Sequence, residues 1–416
     1  MRRREFVKGV GIAGGLAALP WRTLVAAAAG EAAPPAAAAA DALGPQSRQA
    51  FGELLALLSE AERRMLSAEW GVRTPQEVVD GHRLMLNLLS ASSDLYYESD
   101  PERPVFTPMV SPIRKYLGDN PDAHYYLAPL RADRSYRIRG NVGSAVYTSF
   151  TFQVGDENGV AGRIFDARNH TQFDVSRDGS YELALGPDAS GRNGVRLAPG
   201  AVSVTTRHYF EGEVCAQLDP DLRIDLSIEP LRDPGPPPPL DDAESARRIR
   251  LAAGFFRQAT VALPPRDPKQ QPAWVSNVPN QLGKPSAAGQ GEGDKTAWGA
   301  VDNSYSMGPY FLAPDEALVI EGKLPPCTFA NVVLWNRWMQ SYEYRSRRIS
   351  LNRRQMKPGP DGSYRIVVAH RDPGVQNWLD TEGRPTGLIF WRFLLPQQTP
   401  SQPRTKVVPV ASLAKG

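Results

Sequence analysis

The sequence predicts an α+β protein, predominantly β: a helical N-terminal region followed by two related antiparallel β modules of sandwich or barrel type. Three observations predict it. Apolar residues recur at helical spacing only in the first hundred residues and again after residue 241. Elsewhere the apolar residues fall in short runs of period two, bounded by turn residues. The same landmarks then occur twice, in the same order. The expected divisions are 1–29 (leader), 30–44 (Ala/Pro-rich spacer), 45–130 (helical region), 131–231 (first β module), 232–298 (Pro-rich linker, helix and loop) and 299–416 (second β module).

The leader reads Arg2-Arg3-Arg4-Glu5-Phe6-Val7-Lys8. Arg3 and Arg4 with Phe6 and Lys8 match the twin-arginine export pattern. Gly9 to Leu19 is apolar but too short and too weakly hydrophobic for a permanent span, and small residues follow at Val25–Ala29, as at a signal-peptidase site. The expectation is recognition by the twin-arginine translocase, cleavage, a periplasmic or secreted product and no stable transmembrane segment afterwards. Gly9, Gly11 and Gly14 satisfy GxGxxG, but no strand precedes them, so they are not a dinucleotide fingerprint. Glu31 to Ala42 is nearly all Ala and Pro and has nothing to bury. Without the leader, 43 basic and 44 acidic side chains remain, and no basic cluster marks a nucleic-acid footprint. Cys215 and Cys327 are too few for a disulfide scaffold or a zinc site; they either pair or stay as buried thiols.

In the helical region, Phe51, Leu54, Leu55, Leu58 and Leu66 share one stripe. Thr74-Pro75-Gln76-Glu77 then spells a capping box with proline at the first helical position. Strands are expected at Tyr136–Arg139, Ala145–Val154, Tyr181–Leu185 and Val202–Phe210, and again from Ala317 to Arg392. Asp241 and Asp242 open a helix after the five prolines of 232–240. The repeat is carried by Gly140 and Gly322, by Asp178-Gly179-Ser180-Tyr181 and Asp361-Gly362-Ser363-Tyr364, and by Arg207 and Arg392 after an Asn and a Gly. Gly140 precedes Asp178 by 38 residues, and Gly322 precedes Asp361 by 39. Asp-Gly is tight-turn chemistry, and the matching order over both stretches makes duplication the expectation.

Familiar catalytic signatures are missing: there is no GxSxG, HExxH, CxxC or P-loop, and no ligand spacing suggests a metal. The densest polar and aromatic stretch is Trp335-Asn336-Arg337-Trp338-Met339-Gln340-Ser341-Tyr342. As a strand it would put Asn336, Trp338 and Gln340 on one face and Trp335, Arg337 and Met339 on the other. Such a row either stacks on a flat ligand or fills a core. Asn352, Asn377 and Trp378 extend the candidate ligand surface. His370 and Asp372 flank Pro373-Gly374: they are either an acid/base pair or a strand end followed by an Asx turn.

Gly118-Asp119-Asn120-Pro121-Asp122 leading to Tyr136–Gly140, Asn336–Ser341, Ser350-Leu351-Asn352, and His370–Gly374 with Asn377-Trp378-Leu379 together resemble bacterial domain-of-unknown-function family 1214 over residues 100–410. The resemblance implies jelly-roll-like β-sandwich modules and carries no settled catalytic residues. Glu343 departs from it, standing where Asp is expected in Ser-x-Asp-Tyr. Two functions are expected from these readings. One is an envelope enzyme acting on a carbohydrate-like or other polar small molecule, with His370 as acid/base. The other is a non-catalytic ligand-binding or structural envelope protein, with Trp335, Trp338, Trp378 and Arg337 as its ligand surface. The cofactor is unknown.

Overall fold

The computed structural model describes residues 43–263, 269, 271–286 and 298–413. The leader residues Arg3, Arg4, Phe6 and Lys8 lie outside the described residues. Helix α1 (Pro45–Met65) and helix α2 (Pro75–Ser92) open the described chain. The capping box at α2 forms in both directions: Thr74 Oγ1 accepts from Glu77 N at 3.2 Å and Glu77 Oε2 from Thr74 N at 3.1 Å. Helix α3 (Asp242–Gln258) starts on Asp241, whose carboxylate accepts from Glu244 N at 2.8 Å. Asp242 turns away and takes the first amides of α1, Gln46 N and Ser47 N, at 3.0 Å each. The three helices share one core with Met109, Tyr116, Leu127 and Trp338.

The described residues form seventeen strands, with α3 between the ninth and the tenth. The first module comprises β1 (Thr107–Pro108), β2 (Ala123–Pro129), β3 (Tyr136–Asn141), β4 (Tyr147–Gly155), β5 (Ala161–Asn169), β6 (Ser180–Gly186), β7 (Gly194–Arg196), β8 (Ala201–Tyr209) and β9 (Leu226–Pro230). The second comprises β10 (Asn303–Phe311), β11 (Glu316–Lys323), β12 (Phe329–Trp335), β13 (Ser350–Asn352), β14 (Ser363–Ala369), β15 (Trp378–Asp380), β16 (Thr386–Leu394) and β17 (Arg404–Pro409). The first module has a front sheet β1-β2-β8-β4-β5 and a back sheet β7-β6-β3-β9. The second has β10-β16-β12-β13 and β15-β14-β11-β17. Apart from the short edge strand β1, adding eight to each strand of the first module gives the order of the second. Facing sheets bury Ile138, Phe150, Phe152 and Leu183 in one sandwich and Ile320, Val332, Ile366 and Trp391 in the other.

The repeated landmarks have repeated causes. Gly140 pairs with Tyr181 across β3–β6 and Gly322 with Tyr364 across β11–β14. A Cβ at either glycine would collide with the tyrosine ring opposite. Gly179 and Gly362 hold φ of 85° and 75°, which their Asp-Gly turns require. Asn193 and Asn377 sit at the parallel β6–β7 and β14–β15 junctions, and each donates to a strand carbonyl, Glu182 O at 2.9 Å and Arg365 O at 3.1 Å.

Two expectations need correction. The helical region ends at Tyr97, because residues 123–129 form β2, a central partner of β8. The Asp119-Asn120-Pro121 turn feeds this strand directly, as its turn chemistry leads one to expect. Residues 336–340 are also not a strand. β12 stops at Trp335, and the Asn336 side chain then accepts from Trp338 N at 2.9 Å and Gln340 N at 3.2 Å. With Met339 at φ 57°, the chain closes a loop and rejoins at the Trp335–Ser341 bridge.

Candidate functional site

The two modules meet through a reciprocal clasp. Strand pairing sets Arg207 against Tyr125 and Ser149, and Arg392 against Tyr305 and Asn331. These registers make Arg207 and Arg392 equivalent, and likewise Asp122 and Asp302, Asn169 and Asn352. The loop before β2 is held by the second module: Arg392 Nη2 donates to Gly118 O at 2.6 Å. In the same clasp Asn331 and Asn352 donate to the Asp122 carboxylate, each at 2.9 Å. The segment before β10 is held by the first module: Arg207 Nη2 donates to Trp298 O at 3.1 Å and Gly299 O at 2.9 Å. There Tyr147 Oη and Asn169 Nδ2 donate to Asp302 Oδ2 at 2.6 and 2.8 Å.

Between the clasped loops lies a cavity of about 330 Å³ whose wall comes from both modules. Tyr125, Tyr209 and Arg207 line it from one side, and Tyr305, Phe390 and Arg392 from the other. Trp335 stacks on Phe390 with ring centres 4.2 Å apart, and its indole N–H donates to Asp119 O at 3.0 Å. The Arg392 guanidinium lies over both rings, 5.0 Å from Trp335 and 4.6 Å from Phe390. Trp274 and Trp298 add further aromatic surface. An aromatic, concave site with few polar groups is the usual form of a small-molecule pocket.

Charge in this region is buried and sparsely compensated. Arg207 is 5% and Arg392 4% exposed. Among the described residues neither has a carboxylate partner: the hydrogen bonds of Arg207 go to Thr151 and two carbonyls, and Arg392 holds Gly118 O. Arg392 Nη1 has no partner, nor does either amide atom of Asn303, which is 2% exposed and also lines the cavity. Burial pushes the Asp119 carboxyl above its ordinary range, against the pull of Lys115 and its bonds to Ser341. Burial likewise lifts Asp122 to about 6, and lowers Lys115, which spends its charge on Tyr342 O at 2.6 Å and the Tyr344 ring at 4.1 Å.

A second, wider groove of about 1080 Å³ separates the helical region from the second module. It shares the Leu117–Met339 wall with the first cavity and is crossed by the Arg384–Asp80 ion pair.

The candidate residues therefore scatter. Trp335 lines the inter-module cavity; Asn336, Arg337 and Trp338 line the groove. Arg337 is tied to Trp70 O at 2.6 Å and to Gly71 O, and Trp338 Nε1 to Glu77 O at 2.8 Å, so the two dock the module on the α1–α2 connection and on α2. Tyr342 is buried on the Tyr310 hydroxyl at 2.7 Å, and Asn352 belongs to the clasp. Asn377 closes the β14–β15 junction, and Trp378 donates to Ala369 O at 3.1 Å. His370 bonds Thr381 Oγ1 at 2.6 Å and Leu312 O at 3.3 Å. Asp372 accepts from Gly374 N at 2.8 Å, so of the two readings of this segment the Asx turn forms and the His370–Asp372 acid/base pair does not, and neither residue lines either cavity. Sequence reading missed Arg207, Arg392, Asn303 and Tyr305 as site residues, although the first two were already visible as a repeated landmark. Cys215 and Cys327 are free, with burial raising Cys215 to about 12. No group of potential metal ligands and no helix long and apolar enough to cross a membrane occurs among the described residues.

Fold and site together define a pair of related β-sandwiches clasped around a shared aromatic cavity. Within that class, residues 317–398 match the family described as protein of unknown function (DUF1214), which covers most of the second module. A crystal structure of an uncharacterized protein from Burkholderia cenocepacia is similar, at 29% identity and a TM-score of 0.76 over 89% of this chain and 100% of that one. The VPA0106 protein from Vibrio parahaemolyticus is 13% identical at a TM-score of 0.45, covering 79% of this chain and 98% of that one. No curated protein matches.

Proposed function

We propose that this chain is an exported, non-catalytic protein that binds a small ring-bearing organic molecule in the inter-module cavity. The observation that carries the reading is the 330 Å³ chamber itself, walled by Trp274, Trp298, Trp335 and Phe390 at the seam of both modules. The twin-arginine pattern at Arg3 and Arg4 supports export to the periplasm or beyond. Binding is favoured over chemistry because His370 and Asp372 are spent on Thr381, Leu312 and a turn and are not among the residues that line the cavity. The test is a thermal-shift screen of small cyclic compounds, read alongside tryptophan fluorescence, since three of the wall residues are tryptophans. A hit should stabilise the protein, quench its fluorescence, stay unaltered on long incubation, and bind His370→Ala as tightly as wild type. Conversion of a hit to product, lost in His370→Ala, would replace this reading with an enzymatic one.

A further inference from the structure

The two halves of the clasp are not equal, and the inequality points at the ligand. Arg207 Nη1 is capped by the Thr151 hydroxyl at 2.6 Å. Thr151 stands two residues after Ser149, which pairs with Arg207. The residue two after Asn331, which pairs with Arg392, is Val333. The hydroxyl that completes the first arginine is thus replaced by a methyl in the second module, and Arg392 Nη1 is left bare. A second departure lies beside it in register. Asn303 occupies the place that Ala123 holds in the first module, two residues before the paired tyrosine, and both of its amide atoms lack partners. The Asp119 and Asp122 carboxylates lie near enough to feel the Arg392 charge but do not bond to it. A buried guanidinium with an unfilled N–H, together with a buried amide bonded to nothing, is costly unless a ligand completes both.

We infer that the cavity selects a carboxylate: a planar monocarboxylic acid on an apolar ring, its head group accepting from Arg392 Nη1 and Asn303 Nδ2 while the ring lies among Trp335, Phe390 and Trp274. This rests on the cavity being the binding site. The guanidinium presents its N–H groups in a plane, which suits a flat carboxylate better than a tetrahedral anion. The volume of about 330 Å³ lies at the small end of ligand pockets, about 300–1,000 Å³, which suits one ring and its acid group. Arg207, with both terminal nitrogens occupied, supplies field without a contact.

The isosteric pair benzoate and benzamide separates the two levels of the claim. Titration calorimetry on the full chain should show benzoate binding about tenfold tighter or better than benzamide, the difference expected of one charge-assisted pair. Val333→Thr, which restores the missing hydroxyl, should erase that preference, and Asn303→Ala, which copies the first module, should weaken benzoate about fivefold, as expected for one lost hydrogen bond. If Val333→Thr lowers the melting temperature, Asn303→Ala decides alone, and unchanged benzoate affinity in it overturns the assignment. Equal affinity for both probes in wild type, or displacement of benzoate by equimolar inorganic phosphate, overturns the carboxylate assignment and leaves the cavity reading standing. Failure of both probes to bind or to move the tryptophan fluorescence overturns the cavity reading and this inference with it.

Discussion

Removing the Asp122 carboxylate should change stability by an amount that depends on pH. Asp122 is fully buried and accepts one hydrogen bond from each of Asn331 and Asn352. Two amide donors favour the ionised form, yet burial outweighs them and lifts the group from 3.8 to about 6. An acid with a raised folded-state pKa holds its proton more tightly in the folded chain than in the unfolded one. Its stabilising contribution is therefore complete at acid pH and is lost as the pH rises from about 4 through 6. That interval corresponds to about 3 kcal/mol. Asp122→Ala lacks this contribution, so the variant should lose more relative to wild type at pH 4 than at pH 8, by about 3 kcal/mol. Guanidinium unfolding of both proteins from pH 4 to 8 at constant ionic strength measures it. Taking the difference cancels every other titrating group that the substitution leaves undisturbed. A wild-type-minus-variant difference that stays flat across that range would refute the claim that burial dominates the two asparagine bonds.

Three further outcomes are expected. His208, buried between Thr148 and Thr206, is lowered by burial to about 3, so its contribution is complete above about 6.5 and fades as the pH falls; His208→Asn should flatten the acid side of the stability profile. Asp302→Ala removes the acceptor of Tyr147 and Asn169 and should cost about 3 kcal/mol, at about 1.5 kcal/mol for each bond to a carboxylate, seen as a lower melting temperature; an unchanged value would mean that the clasp adds no stability. Replacing Arg3 and Arg4 by Lys should leave the precursor in the cytoplasm, and normal export of that variant would remove the twin-arginine route.

What could be read from sequence was what short-range chemistry determines. The capping box at Thr74 and Glu77, the Asp-Gly turns and the glycines facing Tyr181 and Tyr364 all have causes within a few dozen residues, and the structure reproduces them. The Trp335–Gln340 stretch misled because one side chain, that of Asn336, satisfies two backbone amides and turns the chain where alternation alone predicts a strand. β5 went unread because its Arg163, Asp166 and Arg168 break the apolar alternation at the sheet edge. Of the cavity wall, Trp335 was legible as a candidate, but its polar groups were not: they come from β8, β10 and β16, and only the pairing registers bring Arg207, Asn303 and Arg392 to one chamber. The repeat itself held the clue, in the places where the two copies differ.

The clasp also sets a timetable. Asn169 must wait 133 residues for Asp302, and Asp122 must wait 230 for Asn352. As the chain leaves the ribosome, the first module is made long before the partners of Tyr147, Asn169 and Arg207 exist, and water must serve those groups in the interim. Neither module can therefore reach its final state as an early, independent unit. The last native contacts of the clasp form only when nearly the whole polypeptide is available.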